Sequence, residues 1–193
     1  MTKKITDITD FLLQLDTLKT VERRSYINGG HRLENSAEHS WHLAMACWAF
    51  AEYLSEDYDI PKLIQLALIH DLGEIGAGDT MLYDENRDSA HVEERKYIEQ
   101  ITAHPGNPIH NLMVLWDEQE YSDNREVKLL KVVDRLLPFL LNLSTQGKTW
   151  QENGIKRSQV IAKHQFIERE NPEIHCWLLQ QLEYAVEQGW LEA

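Results

Sequence analysis

The spacing of apolar positions along the chain is helical almost throughout. Ile8, Phe11, Leu12, Leu15 and Leu18 form a stripe that predicts a first helix. Glu22 to Glu34 reads as a polar loop with Gly29-Gly30 at its middle. Asn35 suits an N-cap, and Glu38 completes a capping box. The helix opened there carries His39, Leu43, Ala46 and Phe50 on one face and ends near Tyr53-Leu54. Pro61 fits the first turn of the next helix, which runs through Leu63-Ile64-Gln65-Leu66-Ala67-Leu68-Ile69 to His70-Asp71. Gly73, Gly76 and Gly78 then break or loosen it.

Residues 80 to 90 read as a polar loop, and Val92 to Ile101 as a charged helix stopped by His104-Pro105-Gly106. Asn107-Pro108 is expected to cap a helix whose apolar side is Leu112, Met113, Leu115 and Trp116. From Ser122 to Leu143, Val127, Leu130, Leu137 and Leu141 line one helical face, with Asp134 on it and Pro138 predicting a kink. Arg157 to Glu170 and Pro172 to Gln188 predict two closing helices, with Asn171 capping the second and Gly189 ending it. No stretch keeps strand period for long. The expected fold is all-α, a compact single-domain helical bundle without repeat, linker or internal boundary.

Composition narrows the partners. The chain has 193 residues, 42% hydrophobic and 26% charged, as in a soluble globular domain. Its net charge of -13 disfavours nucleic acid polymers and anionic membranes, but not a small anionic ligand met by a local cation. Cys47 and Cys176 have no metal-binding or redox spacing and suit reduced thiols of a cytoplasmic protein. The first residues lack a signal-peptide apolar core, and no apolar run is long enough to span a bilayer.

Four ionisable residues, His39, His70, Asp71 and Asp134, occupy apolar helical faces. Singly, each has an ordinary explanation: a core histidine is usually just hydrogen-bonded, and a buried aspartate usually pairs with an arginine or caps a helix. Arg135 is not the obvious partner for Asp134, because successive helix positions do not face each other. Together, the two imidazoles and two carboxylates make a nitrogen and oxygen donor set suited to Mn²⁺, Fe²⁺, Co²⁺, Ni²⁺ or Zn²⁺. Four protein ligands leave room in an octahedral shell for water and substrate. Glu74, four residues after His70, stands one turn on if the helix continues, within reach of a water at such a centre. Gly76 and Gly78 either admit substrate close to the backbone or make the turn that ends the helix.

His39, then His70-Asp71, then Asp134 resembles the H…HD…D signature of the HD-domain phosphohydrolases. Glu34-Asn35-Ser36-Ala37-Glu38-His39 resembles a segment of the 5'-deoxynucleotidase branch, as does His70 to Asp79 with its H-D-x-x-E-x-x-x-G-D pattern, and as does Lys131-Val132-Val133-Asp134-Arg135. The resemblance covers roughly residues 10 to 145. It implies a single HD domain over 1-193, with the metal-site core at about 10-145 and C-terminal packing helices at 146-193. It implies one divalent transition metal held by His39, His70, Asp71 and Asp134. The implied reaction is removal of the 5'-phosphate from (deoxy)nucleoside monophosphates by a metal-activated water, commonly in a homodimer. By position, Glu74 would act on the water, Asp79 would lie near the sugar or leaving oxygen, and Arg24 would contact the phosphate. Here Ser25-Tyr26 follows Arg24 where the branch often has a tryptophan.

Other readings stay open. Related proteins cleave cyclic or polyphosphorylated nucleotides, and the acidic pair Glu93-Glu94 is a hint of that kind, against a charged helix surface with Arg95 and Lys96. His91, His104 and His110 lie where some relatives bind a second metal, and His42 is either close support for His39 or a surface imidazole. A non-catalytic metal- or nucleotide-binding module and a helical bundle with satisfied core histidines are the remaining alternatives. Residues 145 to 193 read as packing or subunit contacts, through Trp150, Ile155, Val160, Ile161, Ile167, Trp177, Leu178 and Leu182.

Overall fold

The computed structural model describes residues 4–84 and 87–193, the side chains of 87–89 excepted. Helix α1 (Ile5–Asp16) leads through a 3₁₀ turn (Thr17–Thr20) into strand β1 (Glu22–Tyr26) and strand β2 (Leu33–Asn35). Helices α2 (Ser36–Leu54), α3 (Ile60–Ile69), α4 (Glu74–Ala77) and α5 (Arg87–Thr102) follow. Then come α6 (Leu112–Tyr121), α7 (Arg125–Ser144), α8 (Lys148–Glu152), α9 (Arg157–His164), α10 (Ile167–Glu170) and α11 (Pro172–Glu187). Among the described residues the fold is all-α apart from one two-stranded antiparallel hairpin. No helix among the described residues is long and apolar enough to cross a membrane.

The expected caps form. Asn35 accepts from the Glu38 amide while Glu38 reaches back to the Asn35 amide, and Asn171 accepts from the Ile174 amide. Each pairing satisfies an amide that the first helical turn leaves without a partner.

Several expectations need correcting. The segment Glu22 to Glu34 is not all loop: Glu22 pairs with Asn35 and Tyr26 with Leu33, with an irregularity between them. The polar loop expected at 80 to 90 is already helix from Arg87, residues 85 and 86 lying outside the described residues. The cap expected at Asn107-Pro108 closes a turn instead, in which the Asn107 side chain accepts from the Ile109 amide at 2.8 Å and donates to the Thr102 carbonyl at 3.0 Å. The helix itself starts at Leu112. The single helix expected from Arg157 to Glu170 is two pieces, parted at Gln165-Phe166. In α1 Phe11 is buried, but Leu12 of the expected stripe is exposed.

Two apolar clusters build the interior. One joins α1, α2, α3, α5, α6 and one face of α7 through residues such as Phe11, Leu43, Leu63, Leu66, Ile98, Trp116, Val133 and Leu137. The other packs α8 to α11 onto α7 through Val132, Leu136, Phe139, Trp150, Val160, Leu178 and Leu182. Helix α7 therefore serves both. It continues past Pro138, whose missing N–H leaves the Asp134 carbonyl without its usual partner four residues on.

Between α3 and α4 the backbone tightens: the amides of Leu72, Glu74, Ile75 and Gly76 each bond the carbonyl three residues back. A Cβ on Gly73 would lie 2.5 Å from the Glu94 Cβ, and one on Gly76 would lie 2.8 Å from the Tyr97 Cβ. These two glycines let α5 press against the turn that carries Asp71 and Glu74. Gly78, at φ +80°, reverses the chain toward Asp79.

Candidate metal centre

The tertiary fold brings four side chains together from three helices and one turn. His39 comes from the inner face of α2, His70 caps α3, Asp71 follows it in the turn, and Asp134 projects from α7. Each imidazole lies within reach of each carboxylate. His39 Nε2 is 3.1 Å from Asp134 Oδ1 and 3.9 Å from Asp71 Oδ2, while His70 Nε2 is 3.1 Å from Asp71 Oδ1 and 3.8 Å from Asp134 Oδ1. His39, His70 and Asp71 can each present a donor atom within 4.8 Å of the others.

The far nitrogens are oriented for ligation. His70 Nδ1 faces the Ala67 carbonyl at 2.8 Å, so that nitrogen carries the proton and Nε2 points at the carboxylates. His39 Nδ1 has Glu34 Oε2 at 3.5 Å behind it. His70 Nε2 and His39 Nδ1 are buried without hydrogen-bond partners. A buried nitrogen aimed at two carboxylates without a hydrogen bond is the arrangement a cation completes. The donor set and its orientation fit a divalent transition metal.

The charges are strongly coupled. Burial opposes a charge on His70, but Asp71 and then Asp134 override it and push its pKa up to about 9. Burial likewise opposes ionisation of Asp71, yet His70 and Arg23 hold its carboxyl below the usual range. Asp134 is held well below that range against burial, chiefly by the hydrogen bond to His39 and then by Arg135. The two carboxylates are thus ionised and the imidazole nitrogens face them.

A second ring of polar groups surrounds this set. Arg23 is the cation packed most deeply into it. Arg23 Nη1 is 2.7 Å from Asp71 Oδ2, 3.6 Å from Asp79 Oδ1 and 3.7 Å from Glu74 Oε1. Its Nε is 3.5 Å from Glu34 Oε2. Arg24, the next residue on β1, is exposed and lines the adjoining cavity without an ion pair to the four-residue set. The strand explains the difference: successive side chains point to opposite faces, so Arg23 and Ser25 turn inward. Glu74 is buried, and burial followed by Asp71 raises its pKa well above normal despite Arg23. Its Oε2 accepts a hydrogen bond from the Ser36 hydroxyl at 2.6 Å.

The centre opens into two cavities. One is lined by Arg23, Glu74, Asp79, Tyr83, Phe139 and Trp150, with His164 among the deeper residues. The other is lined by His70, His91, Glu94, Glu120, Lys131 and Arg135. Residues 145 to 193 are therefore not confined to packing, because Thr149, Trp150 and His164 form a wall of the first cavity. Of the histidines between His70-Asp71 and Asp134, only His91 is beside the centre among the described residues, with Glu94 Oε2 at 3.3 Å and Glu120 Oε1 at 3.5 Å. His104 packs against Phe11 with tilted rings whose centroids are 5.6 Å apart, and His110 is exposed. His42 is half-buried, and Glu93 is an exposed partner of Lys96.

Arg23, Glu34 and Ser36 have roles that the sequence does not announce. Glu34 and Ser36 lie within the segment resembling the nucleotidase branch, but nothing in their spacing points to inward side chains. Arg23 is hidden as long as its strand reads as a loop.

Comparison with known proteins agrees with this geometry. Residues 15–175 match the HD domain family model. The chain is 31% identical over 148 residues to a Dictyostelium discoideum protein named 5'-deoxynucleotidase HDDC2, covering 72% of this chain and 78% of that protein. It is 29% identical over 132 residues to the Homo sapiens protein of that name, covering 66% of this chain but 63% of that one. A crystal structure of a predicted metal-dependent phosphohydrolase from Magnetospirillum magnetotacticum superposes with a TM-score of 0.89 at 31% identity, covering 99% of this chain and 97% of that chain. The chain belongs to the HD domain family.

Proposed function

We propose that this protein is a metal-dependent phosphohydrolase that removes the 5'-phosphate from (deoxy)nucleoside monophosphates. The observation that carries the reading is the oriented His39, His70, Asp71 and Asp134 set with Glu74, Asp79 and Arg23 beside it. The names of the relatives at 31% and 29% identity support the monophosphate as substrate. A divalent transition metal, one of Mn, Co, Fe, Ni or Zn, held by those four residues would polarise a phosphate oxygen and acidify a water.

The chain's own residues do the rest. Glu74, with its raised pKa, takes the proton of the attacking water at Oε1, since Oε2 is occupied by Ser36. The new bond from water oxygen to phosphorus forms as the bond to the sugar oxygen breaks. The proton passes to that leaving oxygen, and Asp79 accepts a hydrogen bond from the hydroxyl so formed. Arg23 takes the phosphate-balancing role that the resemblance implied for Arg24, because its guanidinium, unlike that of Arg24, stands against Asp71. Of the two cavities, the one lined by His70, His91, Lys131 and Arg135, about 410 Å³ against about 70 Å³ for the other, has the room for the nucleoside.

Phosphate release from a panel of nucleoside and 2'-deoxynucleoside monophosphates with Mn²⁺ or Co²⁺ tests this. Turnover of a cyclic nucleotide or a triphosphate with none of any monophosphate would overturn it. Arg23→Ala is expected to cost at least about ten-fold in kcat/KM, as loss of a charge-assisted bond of roughly 1.5–3 kcal/mol implies. Arg24→Ala should cost far less.

Residues 1-193 act as one HD domain in this reading, a view supported by the sharing of α7 between the two clusters. A homodimer is part of it, and the exposed Trp41, Met45 and Trp48, one turn apart along α2, supply an apolar ridge for such an interface. The unpaired thiols of Cys47 and Cys176 suit the cytoplasm.

A further inference from the structure

The structure assigns a positioning role to Ser36: its hydroxyl holds one oxygen of the Glu74 carboxylate and leaves the other facing the attacking water. The inference rests on the reading of Glu74 given above and names the residue that makes its geometry definite.

Ser36 is fully buried. It is the first residue of α2, just after the Asn35 cap, and its amide donates to the Val21 carbonyl at 3.0 Å. Its backbone is therefore fixed from both sides. A buried helical serine commonly returns its hydroxyl to the carbonyl one turn back, as Ser40 does to the Ser36 carbonyl at 2.9 Å. Ser36, first in its helix, has no helical carbonyl one turn back, and its hydroxyl donates to Glu74 Oε2, 38 residues along the chain, at 2.6 Å.

Glu74 needs such a partner. It opens the four-residue α4, on a turn shaped by glycines, and its side chain has three rotatable bonds. On Oε1 it has Arg23 Nη1 at 3.7 Å, too long for a hydrogen bond. Arg23 is itself shared among Asp71, Asp79 and Glu34, so it fixes no one rotamer of Glu74. The hydrogen bond from Ser36 is the contact that defines which carboxylate oxygen faces the site. A group held in place by a hydrogen bond from a rigidly anchored residue loses less to misorientation during reaction.

The test compares Ser36→Ala, Ser36→Thr, Ser36→Cys, Glu74→Gln and the Ser36→Ala/Glu74→Gln pair. Phosphate release from one nucleoside monophosphate at saturating Mn²⁺ is measured with metal content and Tm. Ser36→Ala is expected to keep its metal and to lose kcat by roughly ten- to hundred-fold, the range for an outer partner at a metal site, with KM changed by no more than about two-fold. Thr keeps the hydroxyl and should restore kcat; Cys, a weak donor, should fall between. On the residual turnover of Glu74→Gln, adding Ser36→Ala should change nothing, because Ser36 acts through Glu74.

If Ser36→Ala keeps full kcat while Glu74→Gln loses it, the inference fails and the reading of Glu74 stands. It fails equally if the Ser36 loss persists undiminished on Glu74→Gln. If Glu74→Gln keeps full kcat, the reading of Glu74 fails first and the inference with it. If Ser36→Ala lowers Tm too far to assay, Thr against Cys decides: equal kcat in the two overturns the role of the hydroxyl.

Discussion

His70 and His164 start from one device and end in opposite places. Each is a buried helical histidine whose Nδ1 meets a carbonyl about one turn back, Ala67 at 2.8 Å and Val160 at 2.7 Å. Each therefore projects Nε2 away from its own helix, toward the same stretch of α7. His70 meets the Asp71 and Asp134 carboxylates; His164 meets the Arg135 backbone carbonyl at 3.3 Å and the edge of the Phe139 ring. The electrostatics follow. Burial opposes charge on both, but the carboxylates raise His70 to about 9, whereas nothing overrides burial at His164 and its pKa falls. What separates a ligand histidine from a core histidine here is the group facing the second nitrogen, not burial or helical position.

Removing each ring is the most direct way to break that contrast. His70→Ala is expected to abolish stoichiometric metal binding and lower turnover by more than about 100-fold, since even outer partners of metal ligands are worth ten- to hundred-fold. His164→Ala should keep its metal and instead lose roughly 2–4 kcal/mol of stability, as other large-to-small changes in a packed core do. Metal analysis and denaturant unfolding read the two outcomes. Metal loss in His164→Ala would erase the distinction.

Metal addition gives the next largest effect. At a hundred times its Kd, Mn²⁺ or Co²⁺ should stabilise the wild type by about 2.7 kcal/mol. The shift should vanish in His70→Ala and persist in His164→Ala. A wild type whose Tm ignores both cations would count against the metal centre itself.

With metal chelated, pH should separate the two histidines by sign. The raised pKa of His70 stabilises the fold fully below the unfolded value of 6.5, and that contribution is lost as pH climbs through about 9. The lowered pKa of His164 works the other way: below 6.5 the unfolded chain gains a proton that the folded one refuses, so stability falls on acidification. Unfolding midpoints of the chelated wild type, His70→Asn and His164→Asn at acid and alkaline pH check this. His70→Asn should flatten only the alkaline limb, and His164→Asn only the acid one.

Sequence alone could not draw this contrast, though it located much of the fold. Cap chemistry is local, so Asn35 with Glu38 and Asn171 were legible as helix starts. His39, His70, Asp71 and Asp134 were legible because ionisable residues stood out on apolar helical faces. The hairpin was not, because Glu22-Arg23-Arg24-Ser25-Tyr26 has no apolar alternation to betray a strand, and without strand phase Arg23 and Arg24 are equivalent. Gly76 was offered to substrate or to a turn, but what it admits is Tyr97 of α5, a tertiary contact no spacing encodes. Nothing in the spacing singles out His164, because its place beside the first cavity depends on how α9 packs on α7.

Arg135 offers the smallest and most discriminating change. It lies between the two histidines in space: its carbonyl faces His164, while its Nη1 is 3.8 Å from Asp134 Oδ2. Arg135→Gln keeps the carbonyl and removes the charge. The backbone contact of His164 is then kept, but the guanidinium is one of the charges that hold the His164 pKa down, so the acid limb of stability should become slightly shallower. Asp134 loses one of several groups that hold it ionised, with His39 and His70 remaining. For a partly exposed pair the stability cost should stay within about 1 kcal/mol, and metal content should be unchanged. An acid limb as steep in Arg135→Gln as in the wild type would mean that His164 does not sense the guanidinium, and burial would then be what sets it apart from His70.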